Sequence, residues 1–202
     1  MRHLLHLLIL SLISLTAFGQ KADYIPTEYI LEVVPDSSMH IDGKTNINTF
    51  DCIFKNSIKS NLTLTQNIFN ELTEVQHSGL EFCVTCFDCG IALMNKEFTE
   101  LLYAEQYPII VMKLLSMYIY QGEDKTIKGK GKVSMIIAGV ERIEDITYSV
   151  PHSEGKNFQI IGTKQINILD YGITPPKKMM GMVKVDQHID VNFNFKFIVD
   201  DH

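Results

Sequence analysis

Residues 189–199 read IDVNFNFKFIV, and their alternation constrains the fold more than any other stretch. Ile189, Val191, Phe193, Phe195, Phe197 and Val199 fall on one face, and Asp190, Asn192, Asn194 and Lys196 fall on the other. Period two over this length specifies an extended strand, apolar on one side and mostly wet on the other, as in an antiparallel sheet. Seven further segments carry β-type composition between turn signals: 29–34, 45–54, 79–87, 107–120, 128–137, 142–150 and 158–169. Gly162 within the last of these marks a bend or bulge. Eight strands in succession predict an all-β sandwich or barrel.

One segment departs from this pattern. Asn95 precedes KEFTELLYAE, in which Phe98, Leu101, Leu102 and Glu105 recur at helical spacing. Asn95 as cap and Glu97 in the first turn predict a short helix over 96–105, ended before Pro108. The stretch 61–76 is compatible with strand, short helix or both.

The first residues set the compartment. Arg2 is followed by an apolar run from Leu4 to Leu15, broken by His6, Ser11 and Ser14, and then by Ala17 and Gly19. A basic start, a short apolar stretch and small residues form a secretory signal peptide over 1–19, too short for a stable membrane span. Cleavage before Gln20 leaves residues 20–202 as one domain, exported to a periplasm or secreted. The net charge is −6, with no basic run, so nucleic acid is not an expected partner. A homodimer is compatible with the sequence.

Cys83, Cys86 and Cys89 stand at even three-residue spacing, with Cys52 far upstream. In a continuous strand over 79–87, Cys83 and Cys86 point to opposite faces with α-carbons roughly 10 Å apart. They then neither share a metal nor bond each other. No second ligand pair of zinc-site type follows, and no metal is expected. Disulfides are the expectation for an exported chain. Cys89 sits where the strand turns towards the helix. Its partner should lie on another strand, with Cys52 the distant candidate and Cys86 the near one. Pairing Cys52 with Cys89 leaves Cys83 and Cys86 as buried thiols.

Two longer segments resemble the YceI-like family. LMNKEFTELLYAEQYPII (93–110) has that family's short helix followed by Tyr-Pro and a strand. YGITPPKKMMGMVKVDQHIDVNFNF (171–195) has its closing loop and last strand. GKGKVSMIIAGVERIEDITYSV (129–150) supplies the strand, glycine turn and strand between them. IDGKTNINTFDCIF (41–54) is similar to a subgroup with one cysteine here and another before the helix, positions matched by Cys52 and Cys89. The resemblance implies an eight-stranded antiparallel lipocalin-like barrel with one inserted helix and no catalytic residues or cofactor. It also implies an apolar tunnel for a long-chain isoprenoid or fatty lipid. Ile189, Val191, Phe193, Phe195 and Phe197 would line it. In the loop 174–182, Met179, Met180 and Met182 would touch the chain, while Lys177 and Lys178 would meet an anionic headgroup.

Two other functions compete with binding. A secreted structural or interaction barrel would have its interior packed full and take no ligand. A hydrolase would need a base, and His188, between Asp186 and Asp190, is the candidate; His40, His77 and His152 stand alone. The chain has no GxSxG, metal motif or glycine-rich phosphate loop.

Overall fold

A computed structural model describes residues 27–66, 72–178 and 182–201. The signal-peptide segment 1–19, together with Met179 and Met180, lies outside the described residues. The strands are β1 (Thr27–Val33), β2 (Ser38–Lys44), β3 (Thr49–Phe54), β4 (Lys59–Gln66), β5 (Leu72–Cys83), β6 (Phe87–Asp88), β7 (Ile109–Gln121), β8 (Ile127–Ile137), β9 (Val140–Glu154), β10 (Asn157–Asn167), β11 (Lys177–Lys178), β12 (Val183–Lys184) and β13 (His188–Asp201). One helix, α1 (Ala92–Leu101), interrupts them.

All pairings are antiparallel. The main sheet runs β1-β4-β5-β7-β8-β9-β10-β13-β2-β3-β6 and closes through a further β1–β13 pairing. The long β13 carries two partners on one edge. Its end pairs with β1, from Val33 opposite Phe197 to Tyr29 opposite Asp201. Its beginning pairs with β2, from Ser38 opposite Asn194 to Asp42 opposite Asp190. β1 and β2 therefore act as one strand broken at the Val34–Ser37 turn, where Ser37 N–H donates to Val34 O. β3 and β4 break in the same way, pairing with β2 and β1 respectively. β5 and β6 follow them, pairing with β4 and β3. Counted in this way the ring has eight members, an antiparallel lipocalin-like barrel.

β13 shows why closure is favourable. Val191, Phe193, Phe195 and Phe197 are buried on the inside. On the outside, Asn192 Nδ2 donates to Asp42 Oδ2 at 2.7 Å and Gln159 Nε2 donates to Asn194 Oδ1 at 2.6 Å. The outer polar residues thus form cross-strand pairs while the inner ones leave water. Gly162 stands opposite Phe193. A Cβ there would lie 2.4 Å from Phe193 Cζ, so the glycine makes room for the ring. A register shift between Gln159 and Ile161 places a bulge just before it.

Three sequence expectations are corrected. The helix begins and ends four residues earlier than 96–105, and Asn95 is not its cap. Gly90, at φ 88°, turns the chain early, and Ile91 takes the cap position without a side-chain bond. Asn95 instead ties down the preceding loop: its Oδ1 accepts from Cys89 N–H at 2.6 Å, and its Nδ2 donates to Asp88 Oδ1 at 3.4 Å. Asp88 also accepts from Gly90 N–H, and these two bonds hold its carboxyl below the usual range.

The second correction concerns the cysteines. β5 ends at Cys83, and Val84–Cys86 forms a 3-10 turn instead of continuing the strand. The tighter rise brings the Cys83 and Cys86 α-carbons to 5.3 Å, and the two residues form a disulfide. They are not free thiols. Cys52 and Cys89 form the other bridge, so no cysteine is free. The third is β2, which was not anticipated as a strand. Its inner positions are Met39, Ile41 and Gly43, and the glycine hides the alternation. The Phe50 ring fills the space, 2.2 Å from where a Gly43 Cβ would stand.

Candidate functional site

The residues that share a surface away from solvent lie inside the ring. Aromatic rings run through it: Phe54 to Phe82 at 5.3 Å, Phe82 to Phe195 at 6.2 Å, Phe195 to Phe193 at 5.5 Å and Phe197 to Phe158 at 4.9 Å. Such offset and edge contacts add to the area each ring buries. Two apolar cavities flank this row. One, about 30 Å³, lies under α1 and is lined by Met39, Ile41, Phe98, Leu102, Ile189 and Val191, among others. The other, about 50 Å³, lies further along and is lined by Leu62, Val133, Ile146, Phe193, Phe195 and Phe197, among others. Walls of this chemistry keep water out even where its volume would fit.

The inner face of β13 therefore passes both cavities, Ile189 and Val191 at the first and Phe193, Phe195 and Phe197 at the second. Met182 is placed elsewhere. It is 65% exposed, on the segment leading into β12, where its carbonyl accepts from Asn46 Nδ2 at 2.8 Å. Lys177 and Lys178 form β11, opposite Lys184 and Val183 of β12. The helix lies over one end of the barrel: Phe98 and Leu102 line the same cavity as Ile168, Tyr171 and Ile173 from the segment after β10. Tyr171 is buried, but its hydroxyl donates to Glu144 Oε1 at 3.4 Å, and Glu144 in turn meets Lys164 Nζ at 2.7 Å. Burial and the Glu144 carboxylate push the Tyr171 phenol up.

His188 meets Asp186 in a local turn. Its ring Nδ1 is 3.2 Å from Asp186 Oδ1, and its backbone N–H donates to the same oxygen at 2.9 Å. The backbone bond first, then the ring, lowers the Asp186 carboxyl. Both side chains are about half exposed. This arrangement fixes the start of β13 on the outside of the barrel. Among the described residues no three His, Cys, Asp or Glu side chains gather as a metal site, and no helix is long and apolar enough to cross a membrane.

Sequence reasoning missed Met39, Ile41 and the Phe98–Leu102 lid as lining, along with the inward Tyr148. Met39 and Ile41 sit on the strand obscured by Gly43. The i, i+4 spacing of Phe98 and Leu102 was a usable signal.

No family model matches the chain, and no curated protein does. Solved structures do. Burkholderia cenocepacia BcnA matches with a TM-score of 0.63 at 16% identity, over 82% of this chain and 99% of that one. A polyisoprenoid binding domain from Saccharophagus degradans, implicated in plant cell wall breakdown, matches with a TM-score of 0.57 at 11% identity, over 85% and 98%. At these identities the likeness is one of fold, and it extends over almost the full length of both neighbours. Over at least four-fifths of its length this chain therefore shares the fold of these two neighbours, here an antiparallel barrel closed by β13.

Proposed function

We propose that the protein is an exported binding protein whose barrel holds a long apolar chain, isoprenoid or fatty, without catalysis. The unbroken apolar inner face of β13, passing two apolar cavities, carries this reading. Each methylene moved from water into such a channel gains about 0.8 kcal/mol, so a long chain needs no polar anchor for useful affinity. The name of the Saccharophagus neighbour, a polyisoprenoid binding domain, supports the same ligand class. Two disulfides fit an oxidising compartment and so the predicted export of residues 20–202 as one domain.

The cavities as they stand are smaller than a long chain. Admission therefore requires rearrangement of inner side chains, and Met39, Met112, Met117 and Met135 on the inner walls have the flexibility for it. The same small volumes favour a second reading, a structural barrel with a filled core. Phe195→Trp separates the two. In a filled core the added bulk costs roughly 1–3 kcal/mol, because its neighbours are forced off their rotamers. In a binding barrel the variant is expected to keep near-normal thermal stability when stripped of lipid, and to lose bound chain. Lost stability in protein that never carried a chain would favour the filled core.

A further inference from the structure

Among the described residues, one buried polar atom of the interior has no hydrogen-bond partner. Tyr148, on β9, is 5% exposed, and its hydroxyl is the only fully buried side-chain polar atom without a hydrogen-bond partner among the described residues. The other buried polar residue, Ser134, lies on the outer face of β8 between the inner Val133 and Met135, and its hydroxyl donates to Glu141 at 2.5 Å. Leaving a hydroxyl unpaired in an apolar interior is unfavourable, and natural proteins rarely do it without a reason.

The surroundings of Tyr148 are built to receive it. Gly129 stands opposite it on β8, and a Cβ there would lie 2.1 Å from the tyrosine ring. Gly131, the next inner position, also withholds a side chain. This end of the barrel is the one away from α1. The turn at the other end of β8 is Ala138-Gly139, where a Gly139 Cβ would meet the Tyr107 ring that follows the helix. Ile119 stands opposite Gly129 on the same inner face, and Ile127 begins the inner row of β8. They are 45% and 42% exposed although their face is the interior. Inner residues that see solvent mark an open mouth.

We infer that a bound chain enters at this end and that the Tyr148 hydroxyl donates a hydrogen bond to an uncharged oxygen, a carbonyl or hydroxyl, carried by that chain. The inference rests on the proposed binding function. The rest of the chain then runs inward past Phe193, Phe195 and Phe197 towards the cavity under α1. The oxygen is expected to be uncharged because, among the residues whose burial is described, no Lys, Arg or His is buried to balance an anion. Burial pushes the Tyr148 phenol up to about 12, so at neutral pH it is a donor. A carboxylate or diphosphate would not be held here; an amide, ester, ketone, quinone or alcohol would.

The test uses the full chain, displacement of the neutral dye N-phenyl-1-naphthylamine, and two chains of equal length, octadecanamide and octadecane. Tyr148→Phe is expected to weaken octadecanamide about fivefold, the value of one ordinary hydrogen bond, and to leave octadecane unchanged. Without added chain the variant should melt higher than the wild type, since it removes an unpaired buried hydroxyl. If the wild type binds both chains and the variant binds octadecanamide as tightly, this inference falls and the proposed function stands. A lower melting temperature for the variant would mean that the hydroxyl has a partner inside the protein, and would also overturn it. If the wild type binds neither chain, the proposed function falls and the inference falls with it.

Discussion

Phe195→Ala should lower the stability of the barrel by about 3–5 kcal/mol, the range for removing a buried aromatic ring. Phe195 is 2% exposed and touches rings on three sides, Phe82, Phe193 and Phe197. It also lines the larger interior cavity, so truncation would enlarge existing space instead of closing it. The strands around it are held by the closed ring and cannot collapse inward, which places the cost towards the upper part of the range. Urea unfolding at constant slope measures it. A loss under about 1 kcal/mol would show that the ring contributes little to the packing. The enlarged space should also take up small apolar molecules, as dry engineered cavities do.

Removing the Cys52–Cys89 bridge is the second large effect. The two residues are 37 apart in sequence, and the bridge ties β3 to the loop that leads into α1. In the chain-entropy model, opening a loop of this size costs about 4 kcal/mol, an upper expectation. The double variant Cys52→Ala, Cys89→Ala should therefore unfold at markedly lower denaturant. Opening the Cys83–Cys86 bridge, with a separation of 3, should cost less, because the entropy removed grows with loop length. Equal losses for the two bridges would contradict this account of what each does.

How much of this was legible in the sequence depended on whether local pattern and tertiary position agreed. The closing strand was readable because every inner position of β13 from Ile189 to Val199 is apolar and every outer position up to Lys196 is polar. Eight strands were readable from composition and turn signals, but their spacing left sandwich and barrel open; closure into a ring came from the family resemblance, and the chain realises three members of that ring as broken pairs. β2 was hidden because glycine holds one of its inner positions. The helix boundary was missed because Asn95 had the chemistry of a cap, while Gly90 turned the chain earlier. Parity applied to a strand that in fact stops at Cys83 put Cys83 and Cys86 on opposite faces; a single 3-10 turn reversed that conclusion. Tyr148 could be read as a strand residue, but not as unpaired, since that depends on what the rest of the ring brings near its hydroxyl. A tyrosine at an inner position opposite glycine was the available signal.

The claim that the barrel holds an apolar chain is tested most directly by a native mass spectrum of the protein purified from exporting cells. The account predicts a species heavier than the mature chain by the mass of one long apolar molecule, releasable by organic solvent, with the bare mass appearing after extraction. Protein that shows only the bare mass before any extraction, and takes up no long chain when offered one, would contradict it.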